Sequence, residues 1–118
     1  MKIISIKNHG YLDYVTVLAF ALIPAVFGFG GTPAYLSYIL AVVHLTMTLL
    51  TDFPLGAIKI IPVKLHKLVE TIVGPVLIVL PWVLGFSENV IARYVYVIMG
   101  LVIIAIVLLT DYFGTSKA

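Results

Sequence analysis

The sequence predicts an all-α membrane protein, a four-transmembrane-helix bundle made of two parallel, tandem helical hairpins in one domain spanning residues 1–118. Three observations carry that expectation. First, 63% of the residues are hydrophobic and 10% charged, with a mean hydropathy of +1.22, which leaves too little polar surface to cover a soluble globule. Second, four long apolar stretches alternate with two short turns and one longer basic connector. Third, the two halves of the chain match at residues that apolar helices do not share cheaply. With no cysteine, disulfide frameworks, thiolate metal sites and cysteine nucleophiles are excluded. The formal charge of +2 says less than the loops that hold it.

Met1 to Asn8 is a short polar lead with Lys2 and Lys7. His9 and Asp13 follow, and then a run from Tyr14 to Phe29 without charge, the first span. A basic start, an apolar middle and small residues near Ala25 also fit a cleaved secretory signal. The counterpart of this segment later in the chain argues that it is retained. Gly28-Phe29-Gly30-Gly31-Thr32-Pro33 is a dense set of turn formers that reverses the chain. Ala34 to Asp52 is the second span, uncharged until Asp52 and closed by Pro54 and Gly56. The connector to Lys67 is basic through Lys59, Lys64 and Lys67, and Pro62 suits the first turn of the next helix.

The third span, Val69 to Phe86, has 18 residues whose only charge is Glu70, close to the ~20 apolar residues that cross a ~30 Å hydrocarbon layer. His66, Lys67 and Glu70 then lie at one membrane surface and Trp82 near the other, where an amphipathic ring is comfortable. Ser87-Glu88-Asn89 forms the second short turn, Val90 to Tyr112 the fourth span with Asp111 at its far end, and Gly114 to Ala118 a tail. Pro24, Pro75 and Pro81 are expected to bend the odd-numbered spans and free backbone carbonyls there.

Adding 57 to the residue number carries His9 to His66, Asp13 to Glu70, Pro24 to Pro81, Gly28 to Gly85 and Phe29 to Phe86. Adding 59 carries Tyr35 to Tyr94 and Leu49-Leu50-Thr51-Asp52-Phe53 to Leu108-Leu109-Thr110-Asp111-Tyr112. The units are therefore 9–53 and 66–112, joined by a basic connector, 54–65. Each unit holds two spans, so both enter the membrane from the same side, as parallel repeats do. Lys2, Lys7, Lys59, Lys64, Lys67 and Lys117 gather on one side and Arg93 alone on the other. The positive-inside rule then places both termini in the cytoplasm.

Two-helix units with a Pro-Trp pair near the end of the first helix, followed by Gly-Phe, resemble the SPW repeat family of small bacterial membrane proteins. The signature residues are Pro24, Gly28 and Phe29 in the first unit and Pro81, Trp82, Gly85 and Phe86 in the second. Leu80-Pro81-Trp82 stands where the family has Ser-Pro-Trp, and Ile23-Pro24-Ala25 departs further. The resemblance implies the fold and a location in the bacterial inner membrane; it brings no activity.

The candidate chemistry is a set of histidines and carboxylates. His9 and Asp13, like His66 and Glu70, are four apart and share a helix face, while Asp52 and Asp111 end the returning helices at the same membrane side. Imidazole and carboxylate at that spacing can ligate one divalent ion; interfacial capping and pairing is the bland alternative. His44 lies eight residues before Asp52 and about 12 Å deeper, on one face with Ser37, Ala41, Thr48 and Thr51. Ile103 and Val107 take the places of His44 and Thr48 in the second unit. A buried ionisable group in a span suggests a site, and interhelical hydrogen bonding competes with that reading. His9 and His66, nearer the surface than His44, set aside a bis-histidine haem, and no other cofactor is expected.

Lys59, Lys64 and Lys67 suit anionic lipid head groups, so the bilayer is the expected partner, with room for a homo-oligomer and none for nucleic acid. No His-Glu-x-x-His, nucleophile elbow or phosphate loop is present, and an enzyme is not expected. The function predicted is a small non-enzymatic membrane module, structural or interaction-based, with a proton or divalent-metal handling protein as its rival. The metal candidates are His9, Asp13, His44, Asp52, His66 and Glu70.

Overall fold

A computed structural model describes residues 2–114. Its elements in chain order are a two-residue strand β1 (Ile4–Ser5), helices α1 (Ile6–Phe27), α2 (Gly31–Leu50), α3 (Val63–Val83) and α4 (Val90–Leu109), and a second short strand β2 (Thr110–Asp111). Lys117, counted above in the charge asymmetry, lies outside the described residues.

Each helix begins and ends where its own residues dictate. Ser5 caps α1, its hydroxyl accepting from Asn8 N at 3.1 Å, and Asn89 caps α4 by accepting from Ala92 N at 3.1 Å. Pro62 stands at the cap position of α3 rather than inside its first turn. The Pro-x-x-x-Gly-Phe signature is a helix stop. Gly28 and Gly85 take left-handed backbone (φ 70° and 77°), and the next amides, Phe29 N and Phe86 N, turn back to Pro24 O at 3.1 Å and Pro81 O at 2.8 Å. Phe29 and Phe86 then enter the core. Pro24 and Pro81 thus sit in terminal turns where their carbonyls are used, and only Pro75 lies deep inside its helix.

The returning helices stop earlier than the sequence suggests. α2 ends at Leu50 and α4 at Leu109, because Thr51 and Thr110 give their hydroxyl protons to Met47 O and Ile106 O and continue as extended chain. Extended, they pair in parallel with the segment leading into the other hairpin: Thr110 with Ile4, and Thr51 with Ile61. The connector folds back to cap α2: Ala57 N and Ile58 N donate to Leu49 O, and Ile60 N and Ile61 N to Leu50 O.

Packing runs mainly within hairpins, α1 on α2 and α3 on α4. In the second hairpin the backbones approach closely, since a Cβ on Gly100 would fall 2.5 Å from Gly74 O. In the first, Ser37 Oγ donates to Phe20 O at 2.6 Å. Tyr96, which holds the place of Ser37 in the second half, reaches across to Pro33 O at 2.7 Å and stacks edgewise on Phe86.

The distribution of polarity is inverted relative to a soluble protein. His9, Asp13, His66 and Glu70 are buried, while Val26, Tyr35, Val42, Trp82 and Val83 are exposed. The long dimension, 44 Å, matches the ~40–45 Å of a bilayer with its head groups. Three helices, α1, α2 and α4, are long and apolar enough to cross a membrane. The sequence predicted four. α3 falls short because Lys64, Lys67 and Glu70 occupy its first two turns, leaving Thr71 to Val83 as its uncharged part.

Candidate metal centre

The polar site forms where the N-terminal turns of α1 and α3 meet the ends of α2 and α4. Thr110 lies 2.9 Å from His9 Nδ1 and Thr51 lies 2.7 Å from His66 Nδ1. Each threonine has already given its single proton to a helix carbonyl, so each oxygen can only accept from the ring. Nδ1 therefore carries the proton in both histidines, and the two Nε2 atoms are turned toward the carboxylates. The two bonds cross between hairpins, each first-helix histidine held by the other hairpin's threonine.

Asp13 and Glu70 receive those Nε2 atoms. His9 Nε2 is 3.2 Å from Asp13 Oδ1 and 3.2 Å from Glu70 Oε1. His66 Nε2 is 3.1 Å from Asp13 Oδ2 and hydrogen-bonds Glu70 Oε1. One donor atom from each of the four residues lies within 4.8 Å of all the others, and all four residues are at most 4% exposed. Bonds of about 2.1 Å to nitrogen and oxygen would set tetrahedral ligands about 3.4 Å apart, close to the 3.1–3.2 Å of three nitrogen–oxygen pairs here, while His66 and Glu70, in direct hydrogen bond, would have to part to share an ion. Burial alone would make such a set costly. With one divalent cation in place of the Nε2 protons, two neutral imidazoles and two carboxylates would sum to zero charge.

His44 joins the same site. Its Nε2 is 3.5 Å from Asp13 Oδ1 and 4.0 Å from Glu70 Oε1, and its ring is 6.4 Å from that of His66. The depth difference read from the sequence is bridged by side chains: Asp13 lies one turn inward from His9, and Glu70 one turn inward from His66. What looked like two clusters and a separate deep histidine is one constellation. His44 Nε2 and Asp13 Oδ2 are buried and have no hydrogen-bond partner among the described residues, as expected of ligand atoms aimed at a shared point. A cavity of about 50 Å³ opens beside His44 and Glu70, walled by Phe20, Leu40 and Val73, room for one or two waters.

Other candidates fall elsewhere. Asp52 is exposed and its backbone N bonds Ile61 O at 2.8 Å; the strand-like exit from α2 turns it away from the site, so it stands outside the constellation. Thr48 is fully buried one turn beyond His44, its hydroxyl without a partner among the described residues. Lys59 and Lys64 are exposed and Lys67 half-buried, its ammonium 5.3 Å above the Tyr112 ring. Tyr112, past the end of α4, packs its ring 5.0 Å from that of His9. Burial, with the nearby Glu70 and Asp13 charges, pushes its phenol well above the usual tyrosine range. Sequence reasoning missed the orienting role of Thr51 and Thr110. Their match at an offset of 59, directly before an aspartate in both halves, was the available signal.

The SPW repeat domain matches residues 7–110 of the chain, which therefore belongs to that family. No curated protein and no solved structure matches it.

Proposed function

We propose that this SPW repeat protein is a non-enzymatic module of the bacterial inner membrane, four spans with cytoplasmic termini, whose two tandem hairpins are clasped by one divalent metal ion. His9 Nε2, His66 Nε2, Asp13 and Glu70 are the ligands, and His44 supplies a further nitrogen. The observation that carries the reading is the convergence of three Nε2 atoms on two buried carboxylates, with the Nδ1 corners of His9 and His66 already committed to threonine. Orienting a ligand ring through its other nitrogen is how proteins build histidine metal sites. The mixture of imidazole and carboxylate favours Zn²⁺ or a divalent ion of the Mn²⁺ to Co²⁺ group over Mg²⁺ and Ca²⁺. In this reading α3 crosses the membrane with its charged first turns folded against the clasp and the head groups.

The test is metal content and cobalt(II) absorption of the purified protein in detergent. One ion per chain, lost in Asp13→Asn with Glu70→Gln, is the expected result, and binding should weaken in acid because the ligands must be deprotonated. A chain that takes up no Zn²⁺, Mn²⁺, Fe²⁺ or Co²⁺ and whose melting temperature ignores all four would overturn the reading. The His66–Glu70 hydrogen bond favours a second reading, a metal-free clasp of imidazolium and carboxylate groups, and that outcome would select it.

A further inference from the structure

A groove of about 530 Å³ runs beside the first turns of α3, lined by Lys64, Leu65, Lys67, Leu68, Thr71 and Phe113. Lys64, Leu68 and Thr71 follow one helix face, so the groove extends about 10 Å along the axis, from two ammonium groups to an apolar wall. We propose that it seats a single anionic phospholipid, the phosphate between Lys64 and Lys67 and one acyl chain along Leu65, Leu68 and Phe113.

Three observations support that occupant. Lys67 is held rather than free: its Nζ lies 5.3 Å from the Tyr112 ring centre and 5.7 Å from that of Phe113. No carboxylate pairs with Lys64 or Lys67 among the described residues, so the groove presents two uncompensated positive charges. A phosphodiester with a neutral or hydroxylated head matches them; a choline or ethanolamine head brings a third cation to the same place. Second, the groove lies at the end of the bundle where the lysines gather, and its apolar wall continues into the exposed face of α3 at Ile72 and Val76, where acyl chains would lie.

The third observation is that the first half fills the equivalent space. Subtracting 57 replaces Lys67 by Gly10, Leu68 by Tyr11 and Thr71 by Tyr14. Leu55 and Phe53 pack onto Gly10, and Tyr14 Oη donates to Leu55 O at 2.8 Å. The connector thus closes over α1, while nothing among the described residues closes over α3 beyond Phe113.

Native mass spectrometry of the intact protein, released from micelles doped with phosphatidylglycerol or phosphatidylcholine, tests the proposal. One phosphatidylglycerol should stay bound, and phosphatidylcholine should not. Lys64→Ala with Lys67→Ala should weaken retention roughly 30-fold, about fivefold per lysine. Leu68→Trp, which fills the groove and keeps both charges, should lose the lipid as well. Lys7→Ala, exposed on α1 outside the groove, should lose less than the roughly fivefold of a single groove lysine. Equal retention of both lipids, an unaffected Leu68→Trp, or a Lys7→Ala loss as large as that of the double variant would each overturn the assignment. Helicity of every variant by circular dichroism separates lost binding from lost fold.

Discussion

Residues 9–53 and 66–112 agree closely at the polar end, where they hold each other, and differ in how each packs on itself. At the polar end the crossing contacts come in matched pairs, His9 with Thr110 and His66 with Thr51, Ile4 beside Thr110 and Ile61 beside Thr51, whereas Tyr96 to Pro33 O and His44 to Glu70 cross without a counterpart. Within the hairpins the solutions diverge. Gly74 and Gly100 bring α3 and α4 together, whereas Ala41 and Val17 hold the corresponding places on α2 and α1. The difference reflects what each contact demands. A buried polar group needs its particular partner or costs free energy, so both ends of a crossing bond are constrained together. Apolar surface accepts many side chains of suitable volume, and the interiors of the two hairpins can drift apart.

The largest test of this comparison is to remove one carboxylate. Asp13→Ala and Glu70→Ala should each destabilise by about 3–5 kcal/mol, the scale for breaking a buried charged pair, and by similar amounts, measured by thermal unfolding in detergent. If one variant is nearly silent, the two halves do not share a site. Exchanging the close-approach residues comes next. Gly100→Ala should cost about 1–3 kcal/mol by overpacking, since the new Cβ meets the backbone oxygen of Gly74 at 2.5 Å and Ile78 Cγ1 at 2.6 Å. Ala41→Gly should cost about 1 kcal/mol, mostly through helix propensity. Equal losses would mean that the hairpins pack alike after all.

Thr51→Val and Thr110→Val probe the crossed pairs and should be equivalent, each losing about 1 kcal/mol and reducing metal affinity about 10–100-fold. Histidine ¹⁵N shifts would report the freed Nδ1. The smallest effect belongs to the residue that most distinguishes the halves. His44→Ile makes the first half resemble the second, where Ile103 stands, and should change stability by ~0.6 kcal/mol and at most ~1.7, with one metal ion still bound at reduced affinity. Lost cation flux in proteoliposomes at unchanged stability would instead make His44 part of a path.

Much of the fold was legible because apolar runs, turn formers and lysine placement act locally. The Gly28–Pro33 reversal, the Ser87 turn and the polar end could be read without knowing what packs on what, whereas the third span reads through Gly85 to Phe86 although α3 ends at Val83. The site was only half legible. Spacing four apart put His9 with Asp13 and His66 with Glu70 on shared faces, yet it suggested two clusters, with Asp52 included and His44 apart. Whether those faces merge depends on how the hairpins dock, and no spacing within one helix encodes that.

The sequence by itself determined that the charged groups gather at one end and that the chain forms two helical hairpins of lipid-compatible surface, since hydropathy and turn chemistry are properties of short segments. Only the tertiary structure decided that Thr51 orients the opposite hairpin's histidine, that His44 reaches the shared carboxylates and that Asp52 faces away. Those outcomes depend on where the last hydrogen bond of α2 falls, and a threonine hydroxyl competing for a helix carbonyl sets it together with the strand waiting to pair beyond.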